Sequence, residues 1–124
     1  MRSSRARAAR LLAAALLPLC GLSACVQEKK TLYDWGAYEQ LVYQMYANPG
    51  KADPGTQIAK LTEDVARIKA EGGRVAPGVH AHLGYLYYTQ GQPALAQEEF
   101  TIEKQLFPES AVFIDGMLAR MRKQ

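Results

Sequence analysis

The side chains that could do chemistry in this chain are few. Two histidines, His80 and His82, stand two residues apart. On a helix of 3.6 residues per turn that spacing separates them by about 200°, so they cannot hold one metal ion from one face. Helical ligand pairs use spacings of three or four. No metal site is expected. His80 is expected in a packed core with one ring nitrogen hydrogen-bonded, and His82 on an outward face. Beyond residue 24 the single serine is Ser110. It has no glycine-rich elbow of the kind that exposes a hydrolase nucleophile. Glu98, Glu99 and Glu103 read as a solvated acidic face. Neither a phosphate-binding loop nor a dinucleotide fingerprint is present. The expectation is a protein without catalysis, cofactor or small-molecule substrate.

The two cysteines, Cys20 and Cys25, point to a different kind of chemistry. Residues 1–10 are basic, and Leu11 to Ala24 is apolar. That run falls short of the roughly 20 residues needed to span a bilayer and fits the apolar core of a signal peptide. Its end, Leu22-Ser23-Ala24-Cys25, resembles a bacterial lipobox. The resemblance implies cleavage before Cys25, with diacylglycerol and an N-acyl chain on that residue. Cys20 is disfavoured because Leu19 is too large for the cleavage position. A plain secreted protein or an uncleaved anchor is the alternative. Val26, by resemblance to the enterobacterial sorting rule, implies the outer membrane, facing the periplasm. The expected organisation is a lipoprotein signal peptide at 1–24, a lipidated tether at 25–32 and a helical domain at 33–124.

Charge supports the division. Of the 15 Lys and Arg, four lie in the first 24 residues, which hold no acid; the other 11 face all 12 acids. A near-neutral domain has no electrostatic footprint for nucleic acid. With both cysteines assigned to export and lipidation, the folded part has no disulfide to staple it, and helix packing must hold it.

The positioning elements follow from periodicity. Tyr38, Leu41, Val42, Met45 and Tyr46 form one apolar stripe, with Asp34 as its expected N-cap and Asn48-Pro49-Gly50 as its stop. Trp35 is expected to wedge against the first hairpin. Lys51 to Gly55 reads as a loop. A second helix over about 56–71 buries Ile58, Leu61, Val65 and Ile68, pairs Glu63 with Arg67, and packs antiparallel to the first. Pro77 is expected to open the third helix.

Pro77 to Ser110 is 34 residues long, the period of a tetratricopeptide repeat, and carries Leu83, Gly84, Tyr87, Gly91, Ala96, Phe100 and Pro108 at that repeat's spacing. Small residues at 84 and 96 let two helices approach closely; Leu83, Tyr87 and Phe100 fill the flanks. His80 stands where the repeat usually has a large aromatic, and Glu103 where it usually has Ala. One repeat cannot bury its own face, so the preceding hairpin and a final helix over 111–123 must cover it. Val112, Ile114, Met117, Leu118 and Met121 give that helix its apolar face. The fold class expected is all-α, a short tetratricopeptide-like stack of about five antiparallel helices. By the same resemblance Ala81, Tyr85, Tyr88 and Thr89 would face the concave groove and bind a partner. The alternative is that Tyr85 and Tyr88 pack against neighbouring helices.

The opening Tyr33-Asp34-Trp35-Gly36-Ala37-Tyr38, the run Pro77 to Tyr88 and the ending Phe107-Pro108-Glu109-Ser110 are similar to a family of small bacterial lipoproteins classed as domain of unknown function 4810. Members of that family are usually encoded beside a lipoprotein resembling the curli secretion channel. The resemblance implies an assembly in the cell envelope, with the membrane and neighbouring envelope lipoproteins as partners. The expected function is a lipid-anchored scaffold or assembly factor. A contact regulator of a cell-wall synthase or hydrolase is the alternative, and a small enzyme a distant third.

Overall fold

A computed structural model describes residues 31–123; Cys25 and the signal segment lie outside the described residues. Within them the fold is all-α, with five α-helices. These are α1 (Tyr38–Ala47), α2 (Pro54–Ala70), α3 (Val79–Thr89), α4 (Pro93–Leu106) and α5 (Ala111–Met121), the last preceded by a 3-10 turn over Pro108–Ser110. No described helix is long and apolar enough to cross a membrane.

Local chemistry sets the helix ends. Asp53 caps α2, its carboxylate accepting the Thr56 N–H at 3.1 Å, and Pro54 occupies the first turn. The helix therefore starts two residues earlier than the loop-like Lys51 to Gly55 suggests. Pro77 does not open α3. It lies one residue ahead of Gly78, whose φ of +91° turns the chain into the helix at Val79. Gly91, at φ +71°, ends the turn that follows α3.

The close helix pairs are α2 with α3, α3 with α4, and α4 with α5. Helix α1 stands further off, against the expectation of a tight α1/α2 hairpin. It buries only Leu41 and reaches the core through side chains such as Tyr38. Tyr46 lies five positions from Leu41, about 140° around the helix, and is 76% exposed rather than part of the buried stripe. Val112 is displaced for the same reason. It lies two residues from the fully buried Ile114 and is 88% exposed.

Two apolar clusters result. Leu41, Leu61, Ile68, Val75, Val79, Leu83 and Leu86 form the larger. Ala96, Phe100 and Ile114 form the second, with Tyr87, Tyr88, Met117, Leu118 and Met121 packed around it. Between α3 and α4, Gly84 has no room for a side chain: a Cβ there would fall 2.7 Å from Phe100 Cδ1 and Cε1. Gly78 meets Glu103 late in α4 and Gly84 meets Phe100 earlier, so α3 and α4 run antiparallel.

The segment before α1 is pinned rather than helical. Asp34 N–H donates to Arg74 O at 2.8 Å, and Ala76 N–H donates to Asp34 O at 3.2 Å, a short parallel bridge. Asp34 is thus not the cap of α1. Its carboxylate accepts the Gly36 N–H at 2.9 Å and pairs with Arg67 at 3.1 Å, which holds it below the usual carboxylate range. Arg67 turns to Asp34 and Glu71, and Glu63 is taken by Lys60 at 3.0 Å, so the expected Glu63–Arg67 pair does not form. Trp35 stacks on Tyr38 with ring centroids 6.1 Å apart.

Candidate functional site

Three carboxylates are turned inward, and two of them, Glu99 and Glu103, read in the sequence as part of a solvated acidic face. Glu103 is buried on α4. Its Oε1 accepts the Gly78 N–H at 2.7 Å, and its Oε2 accepts the Ala81 N–H at 3.2 Å. These are two of the unpaired donors at the start of α3, where a negative charge also meets the positive end of the helix dipole. Glu99 accepts from His80 Nδ1 at 2.6 Å, with His80 only 1% exposed. Glu98 alone of the three on α4 faces solvent. On α2, Asp64 accepts the Ala37 N–H at 2.8 Å, just ahead of α1. So α2 caps α1 and α4 caps α3. In both cases a glycine of positive φ, Gly36 or Gly78, leads into the capped end.

The capped end of α3 forms one wall of an open cleft of about 280 Å³ between α1, α3 and α5. Tyr38, Gly78, Ala81, His82, Tyr85, Phe113 and Met117 line it. The rings form a continuous run. Trp35 stacks on Tyr38, Tyr38 meets His82 edge-on at 5.6 Å, and His82 stacks against Tyr85 at 6.4 Å. Phe113 is 60% exposed on the facing helix. Gly78 is suited to this place twice over, by its backbone and because a Cβ would come 3.1 Å from the Tyr38 hydroxyl.

His82 is half-buried, not outward-facing. Its Nε2 lies 2.9 Å from Gln57 Oε1, while Gln57 Nε2 donates to Ala52 O at 2.7 Å. The Gln57 amide is oriented by that second bond, so His82 carries its proton on Nε2 and donates. Burial lowers its pKa from 6.5 and keeps the ring neutral. Burial also raises the Tyr38 pKa above 10.0, with the Glu103 charge as the next cause, so this hydroxyl stays protonated. The lining is therefore uncharged at neutral pH. Such a cleft can enclose an apolar or aromatic side chain while the tyrosine hydroxyls bond to a peptide backbone.

Of the four residues expected in a partner groove, Ala81 and Tyr85 line this cleft. Tyr88 does not; it packs against the Ala96–Phe100–Ile114 cluster, beside the final helix. Thr89 is exposed, with its hydroxyl turned back to Leu86 O at 2.7 Å. Tyr85 and Tyr88 lie three apart, and α4 and α5 cover the Tyr88 side. His80, Leu83, Gly84, Ala96 and Phe100 are buried, Tyr87 is half-buried, Gly91 follows α3, and Pro108 begins the 3-10 turn. Tyr38, His82, Phe113 and Met117 are cleft residues that the repeat pattern does not assign. Phe113 and Met117, four apart on α5, carry a periodic signal that could have found them.

No curated protein and no solved structure matches this chain. A family model does: the cleft, the Asp34 bridge and both capped helices fall within residues 32–117, the span it covers, and the chain belongs to the family described as domain of unknown function 4810 (DUF4810).

Proposed function

We propose that this chain is a lipid-anchored, non-catalytic protein-interaction module of a bacterial cell envelope, built as a short tetratricopeptide-like stack. The uncharged cleft lined by Tyr38, His82, Tyr85 and Phe113 carries the reading. Aromatic, open and walled by three helices, it suits an apolar side chain of a partner segment. Gly84 pressed on Phe100, within a 34-residue spacing, supports the repeat. The lipobox-like Leu22-Ser23-Ala24-Cys25 supports anchoring at Cys25, with the domain working close to a membrane. The partner is then another envelope protein, for which a neighbouring channel-like lipoprotein is the first candidate.

Photo-crosslinking tests this directly. Benzoylphenylalanine placed at Tyr85 should give a discrete adduct with a second envelope protein in intact cells, whereas the same group at Tyr88 should not. Equal labelling from both positions, or none from Tyr85, would refute the cleft as the binding surface.

A further inference from the structure

The chain enters its helical domain at an edge that is both apolar and basic. Leu32, next to the first described residue, is 67% exposed. Tyr33 meets Phe107 edge-on at 5.8 Å, and the Arg74 guanidinium rests 4.9 Å from the Tyr33 ring centroid. Beside them Lys69, Arg74, Val75, Leu106 and Phe107 line a shallow cleft of about 200 Å³, with Leu106 48% exposed. Two nearby acids are engaged elsewhere: Glu71, and Asp34 whose backbone bonds to Arg74, both pair with Arg67 at 3.1 Å. Among the described residues no ion pair involves Lys69 or Arg74. Two cations without an ion pair thus line a cleft with the exposed Leu106, beside the Tyr33 segment by which the chain comes in.

We infer that this edge seats on an anionic phospholipid bilayer, with Leu32 and Leu106 at the acyl boundary and Lys69 and Arg74 on lipid phosphates. The inference rests on the proposed lipid anchor at Cys25. From Cys25 to Leu32 the chain reaches at most about 25 Å, so an anchored domain keeps this edge near the membrane. Leucines flanked by basic side chains are what an interfacial contact with anionic lipid requires. A guanidinium can grip a phosphate with two hydrogen bonds. The uncharged aromatic cleft has no such match to a charged headgroup.

The test uses the lipidated full chain in vesicles of phosphatidylethanolamine and phosphatidylglycerol. Leu106→Cys and Val112→Cys are each labelled with an environment-sensitive fluorophore. Spin-labelled lipid should quench the label at 106 about threefold more than that at 112, as membrane contact at one edge requires. Lys69→Glu with Arg74→Glu should abolish the difference, as should vesicles without phosphatidylglycerol. Equal quenching at both positions on protein that floats with the vesicles would overturn the inference while leaving the anchor intact. So would a label at 106 shielded from aqueous quencher yet untouched by lipid quencher, the mark of a protein contact. Failure of the anchor itself reads out separately, as wild-type protein that does not float.

Discussion

Glu103 Oε1 accepts the Gly78 N–H at 2.7 Å, so a carboxylate near the end of one helix closes the start of another 25 residues earlier. With the His80–Glu99 contact at 2.6 Å it ties α3 to α4, and it lies where the repeat pattern normally has Ala. Glu103→Ala would leave two partly buried backbone donors unpaired, at a cost of about 2–4 kcal/mol. Glu103→Gln, which keeps an acceptor but loses the charge, should cost about half as much. Urea unfolding followed by circular dichroism distinguishes the cases. A loss under about 0.5 kcal/mol for Ala would mean that solvent can do the capping.

Gly84 faces Phe100 with no space for even a methyl group. Gly84→Ala should therefore destabilise the domain by about 1–3 kcal/mol, despite the better helix propensity of alanine. Phe100→Leu alone should cost a similar amount. Combined with Gly84→Ala it should cost less than the sum, because the smaller side chain yields to the new methyl. Simple additivity would place the close approach elsewhere.

His82 makes stability depend on pH. Its folded pKa is depressed by burial, from an ordinary value of 6.5. The unfolded chain then binds the proton more readily, and stability present above about pH 6.5 falls as pH drops through the folded pKa. Asp34 and Asp53, both held below 3.8, lose their contributions only in stronger acid. Melting temperatures should fall between pH 7.5 and pH 5, and the fall should shrink in His82→Gln. An imidazole NMR titration with a midpoint at or above 6.5 would contradict the assignment.

Cys25→Ser should move the protein from the membrane to the soluble envelope fraction. Retention would make Leu11 to Ala24 an uncleaved anchor. Separation of membranes by flotation, with immunodetection, gives the answer.

Much of the architecture was legible because it rests on short-range rules. Periodicity is enough to locate α1, α2 and α5, the 34-residue spacing locates α3 and α4, and Asn48-Pro49-Gly50 marks the end of α1. The spacing of Gly84 and Phe100 by itself implies the α3/α4 contact. What escaped was long-range. Asp34 reads as a local cap, yet Arg67, 33 residues away, and the backbone bridge to Val75 claim it. Glu99 and Glu103 read as solvated because nothing nearby in sequence says that His80 and the start of α3 lie above them. Tyr88 reads as a groove residue, although its covering helix begins only at Ala111. The cleft combines α1, α3 and α5, and no single segment carries its pattern.

The cross-helix caps also bear on how the chain folds as it is made. Synthesis delivers the N-terminus first. Ala37 must wait for Asp64, and Gly78 for Glu103, so each leading helix emerges with open ends. Helices of 10 and 11 residues are marginal alone. The smallest part able to hold its shape is then a helix together with the later helix that caps it. A fragment ending at Gln90 should stay mostly uncoiled over 79–89, and one ending at Phe107 should not.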